Sequence, residues 1–240
     1  MAKKSKEKRV LLFIVEGSND EAALGMPLEN LQKSFSPDSL IRLGVTHGDI
    51  TSNRRVKNIA HKVTECVKEY QIKYSLQKRD ICKVVLLLDM DGAYIPNDAI
   101  VRSVKYDKAL YCESTILHMN PKVLQETHVF KQKHVNSLIE LKHIWVDIPF
   151  SVYFVSCNLD HVISGNANLT NREKSVAADD FSLKYGEAAD GFLAFFHNPD
   201  LVLAETFKES WDAIRVGLCS LQRHSNMNVF LSFITRNTNA

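Results

Sequence analysis

The sequence predicts an α/β protein, built on a mostly parallel sheet with helices on its faces, and two observations support this prediction. Four segments consist almost wholly of aliphatic, aromatic and β-branched residues, which is typical of strands buried on both faces. The first two segments are each followed by a helical pattern, as in parallel strand–helix units. The four predicted strands are residues 10–15, 39–45, 81–88 and 151–157.

The first strand–helix unit lies near the start of the chain. Glu16 and Gly17 follow the strand as a tight turn. Ser18, with Glu21 three residues later, has the pattern of a capping box, in which the two side chains satisfy backbone amides at the start of a helix. We therefore expect a helix to begin at Ser18. The second helical pattern runs from about residue 54 to about residue 75.

The rest of the chain shows weaker patterns. An insertion on the core sheet is expected at about 93–150, with short strands near 109–113 and 145–148 and helical segments at 121–125 and 134–141. The last third is mostly helical, is interrupted at Pro199, and ends in either a strand or a helix at 229–235. The expected organisation is a basic flexible N-terminus at 1–9, an α/β core at 10–170, and a helical extension packed on the core at 171–240.

Length and composition exclude several classes of protein. The chain has 240 residues, 45% of them hydrophobic and 24% charged, with a formal net charge of +2. It is long enough to bury a core without metal or disulfide staples, and too apolar to be disordered as a whole. No stretch approaches the roughly 18 uncharged apolar residues of a membrane-spanning helix. Five cysteines without a Cys-x-x-Cys pair favour a reducing compartment, so a soluble cytoplasmic protein without a membrane partner is expected.

The N-terminal residues are the most basic part of the sequence. Residues 2–9 carry five cations and one acid. Such a segment is either a solvated chain end or an arm that attracts the phosphates of a nucleic acid. The sequence leaves both interpretations open.

Acidic residues follow three of the four predicted strands. Glu16 follows the first, Asp89 and Asp91 follow the third, and Asp160 comes shortly after the fourth. Ligands bind at the carboxyl ends of the strands in open parallel sheets. Carboxylates gathered there raise one another's pKa values unless a cation neutralises them, and their oxygens select Mg²⁺ or Mn²⁺. The pattern predicts a divalent-metal site for phosphoryl transfer.

The same residues carry a family resemblance. Val15-Glu16-Gly17 with Asp20, after one strand, and Asp89-x-Asp91, after another, resemble the motifs of the Toprim domain. That domain occurs in topoisomerases, bacterial primases, recombination proteins, ribosomal RNA maturases and the overcoming-lysogenization-defect nucleases. The resemblance extends from about residue 10 to about residue 161, and the insertion and Asp160 have no firm counterpart in the shared motif.

The resemblance implies a Rossmann-like parallel sheet and a metal-dependent nuclease that acts on DNA or RNA. It implies that Glu16 moves a proton or binds metal, and that Asp89 and Asp91 hold the ion. Asp160 is added as a candidate ligand, since it follows a strand of the same sheet. A free-standing Toprim nuclease further implies a role in phage defence, beside an ATPase partner.

Asp89-Met90-Asp91-Gly92 also resembles the first motif of haloacid-dehalogenase-type phosphatases, in which Asp89 would be the nucleophile and Asp91 the general acid. Ala93 stands where a threonine usually follows, and this alternative gives Glu16 no role. A non-catalytic Toprim-like binding module is the third alternative. For nucleic-acid contacts the candidates are Lys83, Arg54 and Arg55, although a solvated helix face is the commoner explanation for such a pair of arginines.

Overall fold

A five-stranded sheet, parallel except at one edge, forms the centre of the protein in a computed structural model that describes residues 9–35, 41–51 and 56–236. A smaller three-stranded sheet lies within the insertion. The strands are β1 (Arg9–Val15), β2 (Ile41–His47), β3 (Ile81–Asp89), β4 (Ile100–Arg102), β5 (Leu110–Tyr111), β6 (Ile116–His118), β7 (His143–Ile144) and β8 (Ile148–Val155). The order is β2-β1-β3-β8-β7 in the large sheet, with β7 antiparallel to β8, and β4-β6-β5 in the small one.

Helices cover both faces of the large sheet. They are α1 (Ser18–Phe35), α2 (Ile59–Lys73), α3 (Pro121–Glu140), α4 (Leu159–Ser164), α5 (Asn171–Tyr185), α6 (Ala189–Phe196), α7 (Phe207–Ala213) and α8 (Met227–Arg236). Alternate residues of β1, β3 and β8 pack against α1, α5, α6 and α8 on one face, and against α2, α3 and α7 on the other. Both faces are thus buried, which explains why these strands are continuously apolar. The prediction of a mostly parallel sheet flanked by helices is confirmed.

The largest difference from the sequence-based prediction lies in the insertion. The segments expected at 121–125 and 134–141 belong to one helix, α3, which begins after the cap residue Asn120. Its buried stripe includes His128, Lys131 and His134 beside Val135 and Leu138. Because polar residues occupy the buried positions, the apolar period that marks a helix is interrupted in the sequence.

Element ends differ at three other places. The strand expected at 145–148 is wrong, since Trp145 and Val146 have φ angles of 46° and 81° and form the turn between β7 and β8. The strand expected at 151–157 begins earlier, at Ile148, and ends at Val155. The C-terminal segment that was open between strand and helix is α8.

The helix expected from Ser18 is confirmed, but its first turn is held differently. The amide of Gly17 donates to the Asp20 carboxylate at 2.8 Å. The Glu21 carboxylate pairs instead with the His47 imidazole, at the end of β2. Asp20 is thereby turned toward the carboxyl ends of the strands.

Two features of the described residues bear on compartment. No helix among them is both long and apolar enough to cross a bilayer. All five cysteines lie within this part of the chain, and each is a free thiol.

Candidate active site

The carboxyl ends of β1, β3 and β8 bring acidic side chains to one edge of the large sheet. β1 and β3 are neighbours, with Ile14 beside Leu86, and the last residue of β3, Asp89, pairs with Val155 of β8. Residues that follow these strands therefore gather at the same place. We call this group the acid cluster, and it consists of Glu16, Asp20, Asp89, Asp91 and Asp160.

Glu16 lies between the end of β1 and the segment after β2. The hydroxyl of Thr51 donates to both of its carboxylate oxygens, at 2.8 and 3.0 Å. Burial raises the pKa of Glu16 to about 7, the charge of Lys131 opposes this shift, and the charge of Asp91 adds to it. The group therefore changes charge near neutral pH.

Asp89 and Asp20 are the other acids whose pKa values are raised. Burial, and then the negative charges of Asp20, Asp91 and Glu16, raise the pKa of Asp89 well above its ordinary value. One Asp89 oxygen accepts a hydrogen bond from the amide of Leu159, the first residue of α4, at 3.2 Å. Burial also raises the pKa of Asp20 to about 6, although its bond from the Gly17 amide lowers it. The protein thus holds these carboxylates together at an electrostatic cost.

A left-handed turn after β3 directs the Asp91 side chain. Asp91 has a φ of 50° and Gly92 a φ of 68°. The positive φ favours glycine at position 92, and a Cβ atom there would also lie 2.7 Å from the end of the Ile116 side chain, which would have to move. The Asp91 carboxylate forms an ion pair with Lys131 and accepts a hydrogen bond from the Tyr111 hydroxyl at 3.2 Å.

Three side chains of α3 hold this turn from the insertion. Lys131 is only 6% exposed, and its ammonium reaches Asp91. One turn earlier, the buried His128 ring lies within the field of the Asp91 charge, while the Gln132 amide donates to the Ala93 carbonyl at 2.5 Å. The sequence analysis assigned no role to these three residues. Their spacing on one helix face was the only feature of the sequence that could have indicated one.

Asp160 joins the cluster from the start of α4. Its side chain is 7% exposed and lies 2.6 Å from the ammonium of Lys174, a residue of α5. The charges of Asp20 and Asp89 also act on Lys174 and help to raise its pKa, against the effect of burial.

Counted over the described residues, the charges at this edge do not balance. Five carboxylates face two lysines, Lys131 and Lys174, and each lysine is paired with one acid. Within the described ranges, no three histidine, cysteine or acidic side chains stand close enough together to surround a metal ion. Mg²⁺ is usually bound through one or two carboxylates, with water and substrate phosphate completing its shell. Glu16 and Asp89, which form no ion pair with a lysine in the part of the chain that the structure describes, fit this requirement by chemistry and charge.

One of the predicted basic contacts, Lys83, does not join the cluster. Lys83 precedes Asp89 by six residues of extended strand, about 20 Å, and so lies toward the opposite end of β3. Its ammonium packs 3.9 Å from the centre of the Phe233 ring. Lys83 therefore lies away from the acid cluster, and its contact with the phosphates of a nucleic-acid backbone stays a prediction. Arg54, Arg55 and the basic residues 1–8 lie outside the described residues.

Fold and cluster together define an α/β protein whose central parallel strands end in a partly buried group of carboxylates that the described lysines do not fully compensate. No protein-family model, curated protein or solved structure matches the chain. The acid cluster is therefore the basis for assigning a function.

Proposed function

We propose that the protein is a divalent-metal-dependent nuclease that cleaves phosphodiester bonds of DNA or RNA through a Toprim-like site. The excess of negative charge in the acid cluster is the observation that supports this function. Binding of a cation there would relieve the repulsion that raises the pKa values of Glu16, Asp20 and Asp89. A nucleic acid supplies the phosphate oxygens that complete the shell of such an ion.

Each residue then has a role that follows from its surroundings. Glu16 and Asp89 would hold Mg²⁺ or Mn²⁺, with Asp91 and Asp160 beside them. When bound, such an ion stabilises charge on the attacking and leaving oxygens. Glu16, with a pKa of about 7, is able to accept or release a proton near neutral pH. Lys131 and Tyr111 fix the Asp91 carboxylate from two sides.

The alternative haloacid-dehalogenase-type phosphatase is less well supported. Its nucleophile would be Asp89, which must be ionised and accessible to attack a phosphate. Asp89 is half-buried, burial and the neighbouring acids raise its pKa, and one of its oxygens is engaged by the Leu159 amide. Glu16, which has no role in a phosphatase of this type, belongs to the same cluster.

A cleavage assay with purified protein tests the proposed function. We expect cleavage of DNA or RNA with Mg²⁺ or Mn²⁺, no cleavage with excess chelator, and no metal-dependent hydrolysis of p-nitrophenyl phosphate. Hydrolysis of the small ester without cleavage of either nucleic acid would favour the phosphatase. Binding of nucleic acid without any hydrolysis would favour the non-catalytic module.

Metal affinity should depend on pH. Carboxylates must lose their protons to bind a cation, and Glu16 has a pKa of about 7. One such proton makes Mg²⁺ binding about tenfold weaker at pH 6 than at pH 8. Titration calorimetry at the two pH values measures this ratio. An affinity that is the same at both would show that Glu16 is not a ligand.

A further inference from the structure

A polar cavity opens beside the acid cluster, and two structural elements border both the cavity and the cluster. It has a volume of about 420 Å³, within the range of small-ligand sites. It is lined by the end of β5, by α4 with the loop that follows it, and by the segment before α8. The lining residues used below are Tyr111, Cys112, His161, Leu221, Gln222 and Arg223.

Tyr111 joins the cavity to the cluster. Its hydroxyl donates to Asp91, while its backbone amide and carbonyl are paired with the Asn168 side chain on the cavity wall, at 2.9 and 2.7 Å. The short helix α4 forms a second connection. The amide of Leu159, at its start, binds Asp89, and His161 lines the cavity. Since a six-residue helix is about 9 Å long, the two sites are neighbours.

Arg223 supplies a fixed positive charge in the cavity wall. Its Nε donates to the carbonyls of His161 and Val162 at 3.2 and 3.0 Å, and one Nη donates to Val162 at 2.6 Å. No carboxylate in the described part of the chain lies within ion-pair distance of this guanidinium. Its remaining N–H groups are oriented and free of an acidic partner, and a guanidinium fork matches the geometry of a phosphate.

The rest of the lining suits a nucleobase. His161 has a buried Nδ1 without a hydrogen-bond partner, and such an atom costs free energy unless a ligand or water satisfies it. Leu221, buried to all but 2% of its surface, provides an apolar wall against which a flat ring can lie. The exposed Gln222 side chain makes no hydrogen bond within the described residues and can reach the edge of a base.

We propose that this cavity binds one unpaired nucleotide of the substrate strand, next to the phosphodiester held at the acid cluster. Arg223 contacts its phosphate, and His161 and Gln222 contact its base. A base inside a duplex cannot enter such a cavity without leaving the stack. The protein therefore acts on single-stranded nucleic acid, or on unpaired nucleotides. This assignment rests on the proposed nuclease function for the position of the cleaved bond, but binding to the cavity is measured separately.

Protection of Cys112 is a direct measure of occupancy. Wild-type protein is treated with a maleimide in the presence of Ca²⁺, with and without a ten-nucleotide single strand of DNA or RNA, and peptide masses give the modification rate of each cysteine. We expect a saturating strand to slow modification of Cys112 at least tenfold. Cys82, which lies toward the opposite end of the sheet near Lys83, serves as the internal control and should react at an unchanged rate.

Two variants test the contacts. Gln222→Ala and Arg223→Lys should each weaken binding of the single strand about tenfold, as expected for loss of a hydrogen bond to a charged or base group. Gln222→Ala leaves the internal hydrogen bonds intact, so it remains informative if Arg223→Lys fails to fold. Arg79→Lys, at the opposite edge of the sheet, is the matched control and should bind like wild type.

The outcomes separate this assignment from the nuclease function. Any of three results would overturn the cavity assignment. A single strand binds without protecting Cys112, a duplex protects Cys112 equally well, or neither the DNA strand nor the RNA strand binds. Cleavage without protection of Cys112 would support the nuclease function and overturn the cavity assignment. Protection without cleavage under any metal would leave a single-strand-binding cavity and remove the nuclease.

Discussion

Replacing Glu16 by glutamine is expected to stabilise the metal-free protein at pH 8. The pKa of Glu16 is about 7 in the folded protein, against an ordinary value of 4.5, so the folded state binds the proton more tightly than the unfolded state. Stability therefore falls as pH rises from about 4.5 to about 7. At pH 8 the ionised group costs about 3 kcal/mol, which the neutral amide avoids. The amide oxygen still accepts the hydrogen bond from Thr51.

Denaturant unfolding of the chelator-treated protein measures this effect. Glu16→Gln should have a higher free energy of unfolding than wild type at pH 8, by up to about 3 kcal/mol, and the difference should shrink to below about 1 kcal/mol at pH 5, where Glu16 is protonated in the folded state. Glu205→Gln, which changes an exposed acid on the surface, should leave stability unchanged at both pH values. A loss of stability at pH 8 would mean that the cluster does not strain the fold.

The same substitution should abolish function. Glu16→Gln removes one carboxylate from the metal shell and the group able to exchange a proton near pH 7, so cleavage should fall at least 100-fold. A variant that gains stability while losing activity identifies a functional site, because structural residues lose stability when they are replaced. Wild-type cleavage by Glu16→Gln would remove this residue from the site.

β1 and β3 are the elements that the sequence predicts best. Both strands are buried on two faces, so their apolar runs and their ends are visible in the sequence. The positions of Glu16, Asp89 and Asp91 at the ends of adjacent strands follow from those runs. The strand order itself is a tertiary feature and was not predicted.

The residues that pair with the acids could not be predicted from the sequence, and the reasons are physical. Lys131 and His128 occupy the buried stripe of α3, where the sequence pattern leads one to expect apolar residues. Tyr111 belongs to a two-residue strand that carries no periodic signal. Lys174 reaches Asp160 only because α5 packs beside α4. Such long-range pairings depend on the folded arrangement, which no local pattern encodes.

The countercharges also explain how the cluster is tolerated. Burial alone would lower the pKa of Lys131, but the charges of Asp91, Glu16 and Asp89 outweigh burial and raise it, so the ammonium stays charged. One buried cation thus compensates several acids at once. The insertion, which supplies α3, is consequently part of the site rather than an addition to the core.

Replacing Lys131 by methionine is therefore expected to destabilise the protein by about 2 kcal/mol, since it removes the buried cation that pairs with Asp91, whose carboxylate is 38% exposed and can be partly hydrated. Methionine keeps most of the buried length of the lysine chain, so the loss reports on charge rather than on packing. Unfolding by denaturant at pH 7 measures it. Lys133→Met, on the exposed side of the same helix, is the matched control and should change stability by less than about 0.5 kcal/mol.

A second substitution assigns the loss to Asp91. In Lys131→Met combined with Asp91→Asn, the unpaired charge is absent, so the double variant should recover at least half of the stability that the single variant loses. Added Mg²⁺ should also stabilise Lys131→Met more than wild type, because the ion supplies the missing positive charge. If Lys131→Met and Lys133→Met unfold alike, or if Asp91→Asn only adds to the loss, Lys131 is not the countercharge of the acid cluster.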